Sequence, residues 1–327
     1  MKLQIRHYFR DLGNFYVTNF FHKFYSALES QYPECTFEII NDESYENFGY
    51  GSIYSCMNFS IINPSNEKYI LISFFDNWKY HFMKHLGWKP SKMAQFFYPA
   101  GFNYIDYFNF KLIEKNNPDI NCPSNIHNVY KPFFYGPYEN GSLDLKDQLF
   151  KNRSIESTIP KLYFKGYMWD FRKQMTNNLK DESIIILDKN IDNNNLDYGD
   201  YLSELAGYRC ALSLPGGTEI CNRDIECFAI GVPVIRPYLD IQYPDPLIPN
   251  YHYISCYMDC KYWSGNPSYL DYNLFAVHLA HYWHKIKDNF EYLSFVSHNA
   301  RNWFMKNCTL DNNIKYVLSQ INMETLK

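Results

Sequence analysis

The chain has 327 residues, and its 35 acidic and 31 basic side chains, interspersed along the sequence, leave a net charge of −4. This composition argues against nucleic-acid binding, and the nine cysteines contain no CxxC pair of the kind that holds zinc or anchors a disulfide framework. No apolar run reaches the length of a membrane span and no signal peptide is recognisable, so the sequence predicts a soluble, cytoplasmic protein without a transmembrane segment.

The N-terminal half begins with a strand–helix–strand pattern. Residues 2–9 and 35–40 are strand-like, and residues 11–33 between them carry apolar side chains at helical spacing. This order predicts a parallel α/β layer. Residues 52–62 and 68–75 are two further strand-like segments joined by Asn-Pro-Ser-Asn-Glu, which predicts a hairpin.

The pattern then weakens toward the middle of the chain. Residues 77–87 predict a helix that ends at a glycine, and residues 92–100 predict a strand. From about Lys115 to Pro160 the chain is rich in Asn, Pro, Gly and Tyr and lacks periodicity, so we interpret it as loops and an interdomain crossing. The predicted N-terminal domain spans residues 1–150.

In the C-terminal half, predicted for residues 151–327, strand and helix patterns alternate. In order, the strand, helix, strand, helix and strand segments are residues 161–166, 168–180, 182–188, 201–208 and 209–215. Long helical patterns cover residues 271–308 and 312–326. The predicted fold is therefore α/β, with two Rossmann-like domains that face a central cleft.

Residues 212–237 contain the strongest local signal. A strand is followed by a Gly216–Gly217 turn, a predicted helix from about Glu219 to Ile230, a glycine at 231 and another strand. A glycine-rich turn that opens a helix presents free backbone N–H groups and the positive end of the helix dipole, which suits a phosphate. The spacing fits neither GxGxxG nor the P-loop, which argues against a dehydrogenase or a P-loop NTPase.

Helical spacing separates two faces of this predicted helix. The buried face is predicted to contain Cys221, Ile225, Phe228 and Ala229. Asn222, Arg223 and Glu226 share a different face, where Arg223 is placed to clamp a diphosphate and Glu226 to accept from ribose hydroxyls. The alternative is that Glu219 and Arg223, four residues apart, form only a surface ion pair.

Residues Tyr208 to Pro237 resemble the donor-binding motif of two-Rossmann-domain (GT-B) glycosyltransferases. The resemblance is closest to the protein O-glucosyltransferase and capsule-associated xylosyltransferase family and its exostosin-like relatives. It rests on LYFKG with Arg172 in the next helix, on PGGTEICNRDIECFAIGVPVI, and on SHNARNWFMKNCT. It covers residues Lys161 to Thr309, about half the chain.

The resemblance implies a donor site built from two loops and a helix. Its predicted residues are Lys165, Gly166 and Arg172 from one loop, Gly216, Gly217, Thr218, Asn222 and Arg223 from the other at the pyrophosphate, and Glu226 near the ribose. The alternative for Lys165 and Arg172 is that both are solvated surface charges. The family commonly uses UDP-sugars, so UDP is the expected nucleotide.

The reaction is expected to be inverting and independent of metal and cofactor. No Asp-x-Asp occurs in the sequence to hold a divalent cation. Retaining enzymes of this fold commonly carry two glutamates eight positions apart, but Thr218 stands at the first position here, with Glu226 at the second. An inverting reaction needs a base, for which Asp76, Asp42 and His81 are candidates in that order, although Asp76 fits a helix N-cap equally well.

These observations predict a glycosyltransferase that moves a sugar from a nucleotide-sugar donor to a hydroxyl group of a glycan or glycoprotein. Two alternatives remain: a noncatalytic nucleotide- or sugar-binding protein of the same fold, and a scaffold protein with an aromatic binding surface. The abundance of Tyr, Asn and Ile suits the AT-rich genome of a microbe or a large virus.

Overall fold

A computed structural model describes the protein over part of its length. The described residues are 2–7, 25–26, 28–33, 36–41, 58–63, 68–73, 94–97, 127–128, 142–168, 170–177, 179–188, 196–214, 221–237, 245–256, 272–309, 311–312 and 315. Internal contacts divide the chain into two units, the first made of Met1–Phe102, Asp106–Pro137 and Asn307–Lys327, the second of Asn103–Ile105 and Tyr138–Lys306. No helix within these described ranges combines the length and the apolar character that a membrane crossing requires.

The first unit contains a six-stranded sheet with the strand order β2-β1-β3-β4-β5-β6. The strands are β1 (Lys2–His7), β2 (Thr36–Asn41), β3 (Asn58–Asn63), β4 (Lys68–Ser73), β5 (Ala94–Phe97) and β6 (His127–Asn128). β1 and β2 are parallel, and the described residues 25–26 and 28–31 between them are helical, as predicted. The predicted hairpin is confirmed by the antiparallel pairing of β3 with β4. Because β1 also pairs antiparallel with β3, the sheet is mixed.

The second unit contains a five-stranded parallel sheet with the order β11-β10-β9-β7-β8. Its strands are β7 (Ile159–Gly166), β8 (Ile184–Asp188), β9 (Tyr208–Leu212), β10 (Val234–Arg236) and β11 (Ile254–Ser255). Its helices are α1 (Ser142–Asn152), α2 (Asp170–Thr176), α3 (Tyr198–Gly207), α4 (Asn222–Ile230), α5 (Tyr272–Ile286) and α6 (Phe290–Asn307). The prediction of an α/β fold is confirmed by this alternation.

Helices cover both faces of the parallel sheet. Successive side chains of each strand point to opposite faces and therefore pack against different helices. Leu162, Phe164 and Ile235 belong to an apolar core that includes Trp283 of α5. Arg236, the neighbour of Ile235, points to the opposite face and pairs with α4. On that face α1, α3 and α4 contact one another, while α2 contacts α5. The result is a doubly wound arrangement.

The strand order places the topological switch point between β7 and β9. From β7 the chain passes through α2 to β8 on one side, and then through α3 to β9 on the other side of β7. The chain leaves β7 through α2 toward β8 and leaves β9 through α4 toward β10, in opposite directions. The carboxyl ends of two such strands are where doubly wound folds bind ligands.

Two predictions of local structure are wrong. Residues from about Lys115 to Pro160 were predicted to be loops, but α1 occupies Ser142–Asn152 and β7 begins at Ile159. The predicted domain boundary after residue 150 consequently falls inside α1. The long helical pattern of residues 271–308 is divided between α5 and α6, because Asn289 caps the second helix by accepting a hydrogen bond from the Tyr292 amide at 3.1 Å. The predicted helix at 77–87 lies outside the described residues.

Candidate ligand site

Both segments that were predicted to hold a donor leave the sheet at the switch point. β7 ends at Gly166 and leads to α2, which carries Arg172. β9 ends at Leu212, and the chain enters α4 at Asn222. Because ligands of doubly wound sheets bind outside the carboxyl ends of the strands at this point, the fold brings the two segments to the expected place.

Two arginines form hydrogen bonds that link these segments. Arg172, on the helix after β7, donates through Nη2 to the carbonyl oxygen of Leu214, just after β9, at 2.9 Å. Arg223, on the helix after β9, donates through Nη2 to the carbonyl oxygen of Lys165 in β7. Each guanidinium therefore ties the start of one helix to the end of the other strand.

The ring of Phe164 supports both guanidinium groups. The Arg223 carbon Cζ lies 4.1 Å from the ring centroid, and that of Arg172 lies 5.5 Å away. Cation–π contacts of this kind are worth about 0.5–2 kcal/mol, more where water is excluded. Arg172 is only 6% exposed, so the alternative that it is a solvated surface charge is wrong.

Both guanidinium groups keep their charge at neutral pH. Burial lowers the pKa of Arg172, although the Cys221 thiol acts in the opposite direction. Burial also opposes the charge of Arg223, but Tyr201, Cys221, Cys227 and Glu226 outweigh it and raise the pKa. Since an arginine side chain is not deprotonated in proteins, the switch point carries two fixed positive charges.

Gly166 makes room for one of these charges. A Cβ atom at this position would lie 2.6 Å from Nη2 of Arg223 and 3.2 Å from Cζ of Phe164. The residue was predicted to border the pyrophosphate. In the structure its missing side chain is what allows the Arg223 guanidinium to approach the backbone of β7.

Lys165 forms an ion pair with Glu204 in this structure. Its Nζ lies 3.2 Å from Oε2 of Glu204 on α3, and the lysine side chain is only 10% exposed. The alternative of a solvated strand end is therefore wrong. Its predicted contact with a pyrophosphate stays a prediction, because a phosphate would have to compete with Glu204 for the ammonium group.

Helix α4 begins three residues later than predicted, at Asn222 rather than at about Glu219. The Asp224 carboxylate explains the start, because its Oδ2 accepts from the Cys221 amide at 2.7 Å and so caps the first turn. The same oxygen lies 2.7 Å from Nη1 of Arg236 in β10, and both side chains are almost completely buried. The sequence analysis missed this pair, whose signals were an acidic residue in the first turn and an arginine ending an apolar strand.

The predicted faces of α4 are confirmed in part. Ile225, Phe228 and Ala229 are buried as expected, and so is most of the rest of the helix. The prediction for Cys221 is wrong, because this residue precedes the helix as its N-cap and is only partly buried. Glu226 accepts from the hydroxyl of Tyr201 on α3 at 3.3 Å. Burial raises the pKa of Glu226, opposed first by the charge of Arg223 and then by that of Lys146. Its predicted contact with a ribose stays a prediction.

The remaining predicted site residues lie outside the description of the chain. These are the three candidate bases Asp76, Asp42 and His81, the turn residues Gly216, Gly217 and Thr218, and Glu219, the alternative partner of Arg223. Asn222 is the first residue of α4, and its side chain is not described. Among the residues that are described, no group of three or more His, Cys, Asp or Glu side chains is arranged to hold a metal ion.

Comparison with known proteins assigns no family to the chain. No protein-family model matches it, and a comparison with curated proteins finds no match.

Proposed function

We propose that the second unit binds a nucleoside-diphosphate sugar at the switch point and that the protein is a glycosyltransferase. The observation that carries the proposal is the pair of arginines, Arg172 and Arg223, that cross between the carboxyl ends of β7 and β9. Positive charge stabilises a bound diphosphate, and the switch point of a doubly wound sheet is where ligands of this fold bind.

The first turn of α4 adds to the attraction for an anion. Backbone N–H groups at a helix start carry partial positive charge, which favours a phosphate nearby. The acidic residue in this turn, Asp224, does not cancel the effect because it is ion-paired with Arg236. Arg172 and Arg223 are therefore the positive charges that would attract the diphosphate.

In the proposed reaction these charges stabilise the departing nucleoside diphosphate as negative charge develops on it. A base in the N-terminal domain, predicted as residues 1–150, deprotonates the hydroxyl of a glycan or glycoprotein acceptor, which then attacks the sugar with inversion. Asp76, Asp42 and His81 are the candidates for that base. The proposal also includes the GT-B arrangement, a UDP-sugar donor, independence of metal, and a cytoplasmic location.

Calorimetric titration with UDP, GDP, their sugars and inorganic pyrophosphate tests the proposal. Arg223→Gln and Arg172→Gln are each expected to weaken binding of the preferred nucleotide by roughly 30-fold or more, since losing one partner of a desolvated charge pair costs about 2–5 kcal/mol. Unchanged nucleotide affinity in Arg223→Gln would contradict the assignment.

Arg209→Gln is the matched control. Arg209 is also buried, and it donates to the carbonyl oxygen of Lys287 at 3.1 Å and pairs with Asp288 at 2.9 Å. It lies at the start of β9, on the amino edge of the sheet, so this variant should lose stability but keep nucleotide affinity. Sugar transfer or donor hydrolysis by the purified protein separates an enzyme from a noncatalytic nucleotide-binding protein, and no binding at all favours a scaffold.

A further inference from the structure

Three adjacent strands of the parallel sheet end in polar residues. Arg236 is the last residue of β10 and Ser255 the last residue of β11, and the two are direct neighbours in the strand register. Ser213 follows the last residue of β9, and its amide donates to the carbonyl oxygen of Ile235 at 2.9 Å. This hydrogen bond places Ser213 beside Arg236. A polar row therefore runs along the carboxyl edge of the sheet, from β9 at the switch point toward β11.

The row faces α4 and is buried. Leu212, Ile235 and Ile254 belong to the apolar core on the other face. The residue after each of them therefore points toward α4, whose Asp224 pairs with Arg236. Ser213, Asp224, Arg236 and Ser255 are all at most 6% exposed.

Three polar atoms in this row have unused hydrogen-bonding capacity. Within the part of the chain that the structure describes, Ser213 Oγ, Ser255 Oγ and Asp224 Oδ1 are buried without a hydrogen-bond partner. Native proteins pair nearly all such atoms, because leaving them unpaired costs free energy. Three in one row, at the edge where ligands of this fold bind, point to a partner that is not part of the protein.

The chemistry of the row selects hydroxyl groups over phosphates. Asp224 and Arg236 neutralise each other, so the row lacks the excess positive charge of Arg172 and Arg223. The unpaired carboxylate oxygen only accepts hydrogen bonds, which an ionised phosphate cannot donate, whereas serine hydroxyls both donate and accept. A ligand hydroxyl also donates and accepts, and so matches both kinds of group.

We propose that Ser213, Asp224 and Ser255 form a hydroxyl-binding subsite beside the cationic site at the switch point. This inference rests on the proposed function: the arginines hold the diphosphate, and the polar row holds hydroxyls of the ribose or of the transferred sugar. It assigns a direction to the ligand, which extends from β7 and β9 toward β11.

Affinities of Ser213→Ala and Ser255→Ala for inorganic pyrophosphate, UDP and a UDP-sugar test the subsite. Each variant is expected to bind pyrophosphate as the wild type does. If the row holds the ribose, UDP binds about 10-fold more weakly, the effect of losing one hydrogen bond, and if it holds the sugar, only the UDP-sugar does. Ser297→Ala is the control, because Ser297 is a buried serine whose hydroxyl donates to the Gly231 carbonyl oxygen at 2.6 Å, away from the site.

Thermal unfolding without ligand checks the starting observation. Removing an unpaired hydroxyl should leave the Tm of Ser213→Ala and Ser255→Ala unchanged or raised, whereas Ser297→Ala should lower it. Wild-type UDP and UDP-sugar affinities in both serine variants would overturn the subsite and leave the proposed function standing. A wild-type protein that binds neither pyrophosphate nor any nucleotide would overturn both.

Discussion

Replacing Gly166 with alanine tests whether this glycine exists to admit the Arg223 guanidinium. The backbone at Gly166 is not in the left-handed region, so alanine is conformationally acceptable there, and the new Cβ would meet Nη2 of Arg223 at 2.6 Å. Because relaxed contacts between such atoms are about 3.5 Å, the guanidinium must move by roughly 1 Å. That displacement weakens its hydrogen bond to the Lys165 carbonyl oxygen.

The expected cost follows from these two effects. A hydrogen bond from a charged group contributes about 1.5–3 kcal/mol to the free energy of unfolding. Alanine offsets about 0.4–1 kcal/mol of this loss, because it restricts the unfolded chain more than glycine does. Gly166→Ala should therefore lower the free energy of unfolding of the second unit by about 1–2 kcal/mol. In an Arg223→Ala background the new Cβ atom has no guanidinium to overlap. Gly166→Ala should then be neutral or stabilising by up to about 1 kcal/mol.

A double-mutant cycle by urea denaturation measures this coupling. Tryptophan fluorescence reports on the second unit in a background in which Trp78 and Trp88 of the first unit are replaced by phenylalanine, because Trp283 and Trp303 are both buried in the second unit. The coupling between positions 166 and 223 should be about 2 kcal/mol. If Gly166→Ala costs the same with and without the arginine side chain, the glycine is required for another reason and the argument from Arg223 fails.

Two further stability predictions concern other parts of the second unit. Gly231 ends α4 with φ at 67°, and a Cβ there would overlap the Phe150 ring. Gly231→Ala should therefore cost about 2–4 kcal/mol in urea denaturation, and less in a Phe150→Ala background; equal cost in both would contradict the overlap. Burial lowers the pKa of His252 to about 4, and its Nδ1 accepts from the Ile248 amide at 2.9 Å. Between pH 6.5 and 4 the unfolded state binds the extra proton, so acidification should remove up to about 3 kcal/mol of stability. His252→Asn, which keeps an acceptor without titrating, should flatten this pH dependence, and an unchanged slope would reject the assignment.

In the second unit, local sequence patterns predicted the first and last residues of strands β7, β8 and β10 to within about two positions. Runs of apolar residues bounded by polar or glycine segments explain this success, because burial in a parallel sheet requires such runs. The same approach missed α1, whose sequence SLDLKDQLFKN follows a stretch rich in turn residues. It also missed the break between α5 and α6, where a single capping residue, Asn289, interrupts a continuous helical pattern.

The candidate site was predicted less completely than the fold. Sequence patterns indicated that Arg172 and Arg223 follow strands, and the family resemblance implied that they belong to one site. The structure brings both to the Phe164 ring. The sequence did not indicate that each arginine donates a hydrogen bond to a backbone carbonyl oxygen. The buried pair of Asp224 and Arg236 was also not predicted, because either residue alone resembles an ordinary surface charge.

What the amino-acid order established is therefore local: alternating strands and helices, a glycine before each of two helices, and arginines in their first turns. The strand order β11-β10-β9-β7-β8 came only from the tertiary structure, and it is this order that sets the ends of β7 and β9 side by side. The reason is physical. Hydrophobic periodicity is a property of a few consecutive residues, whereas the partner of a charge depends on contacts across the chain, such as that between Arg223 and Lys165, 58 positions apart.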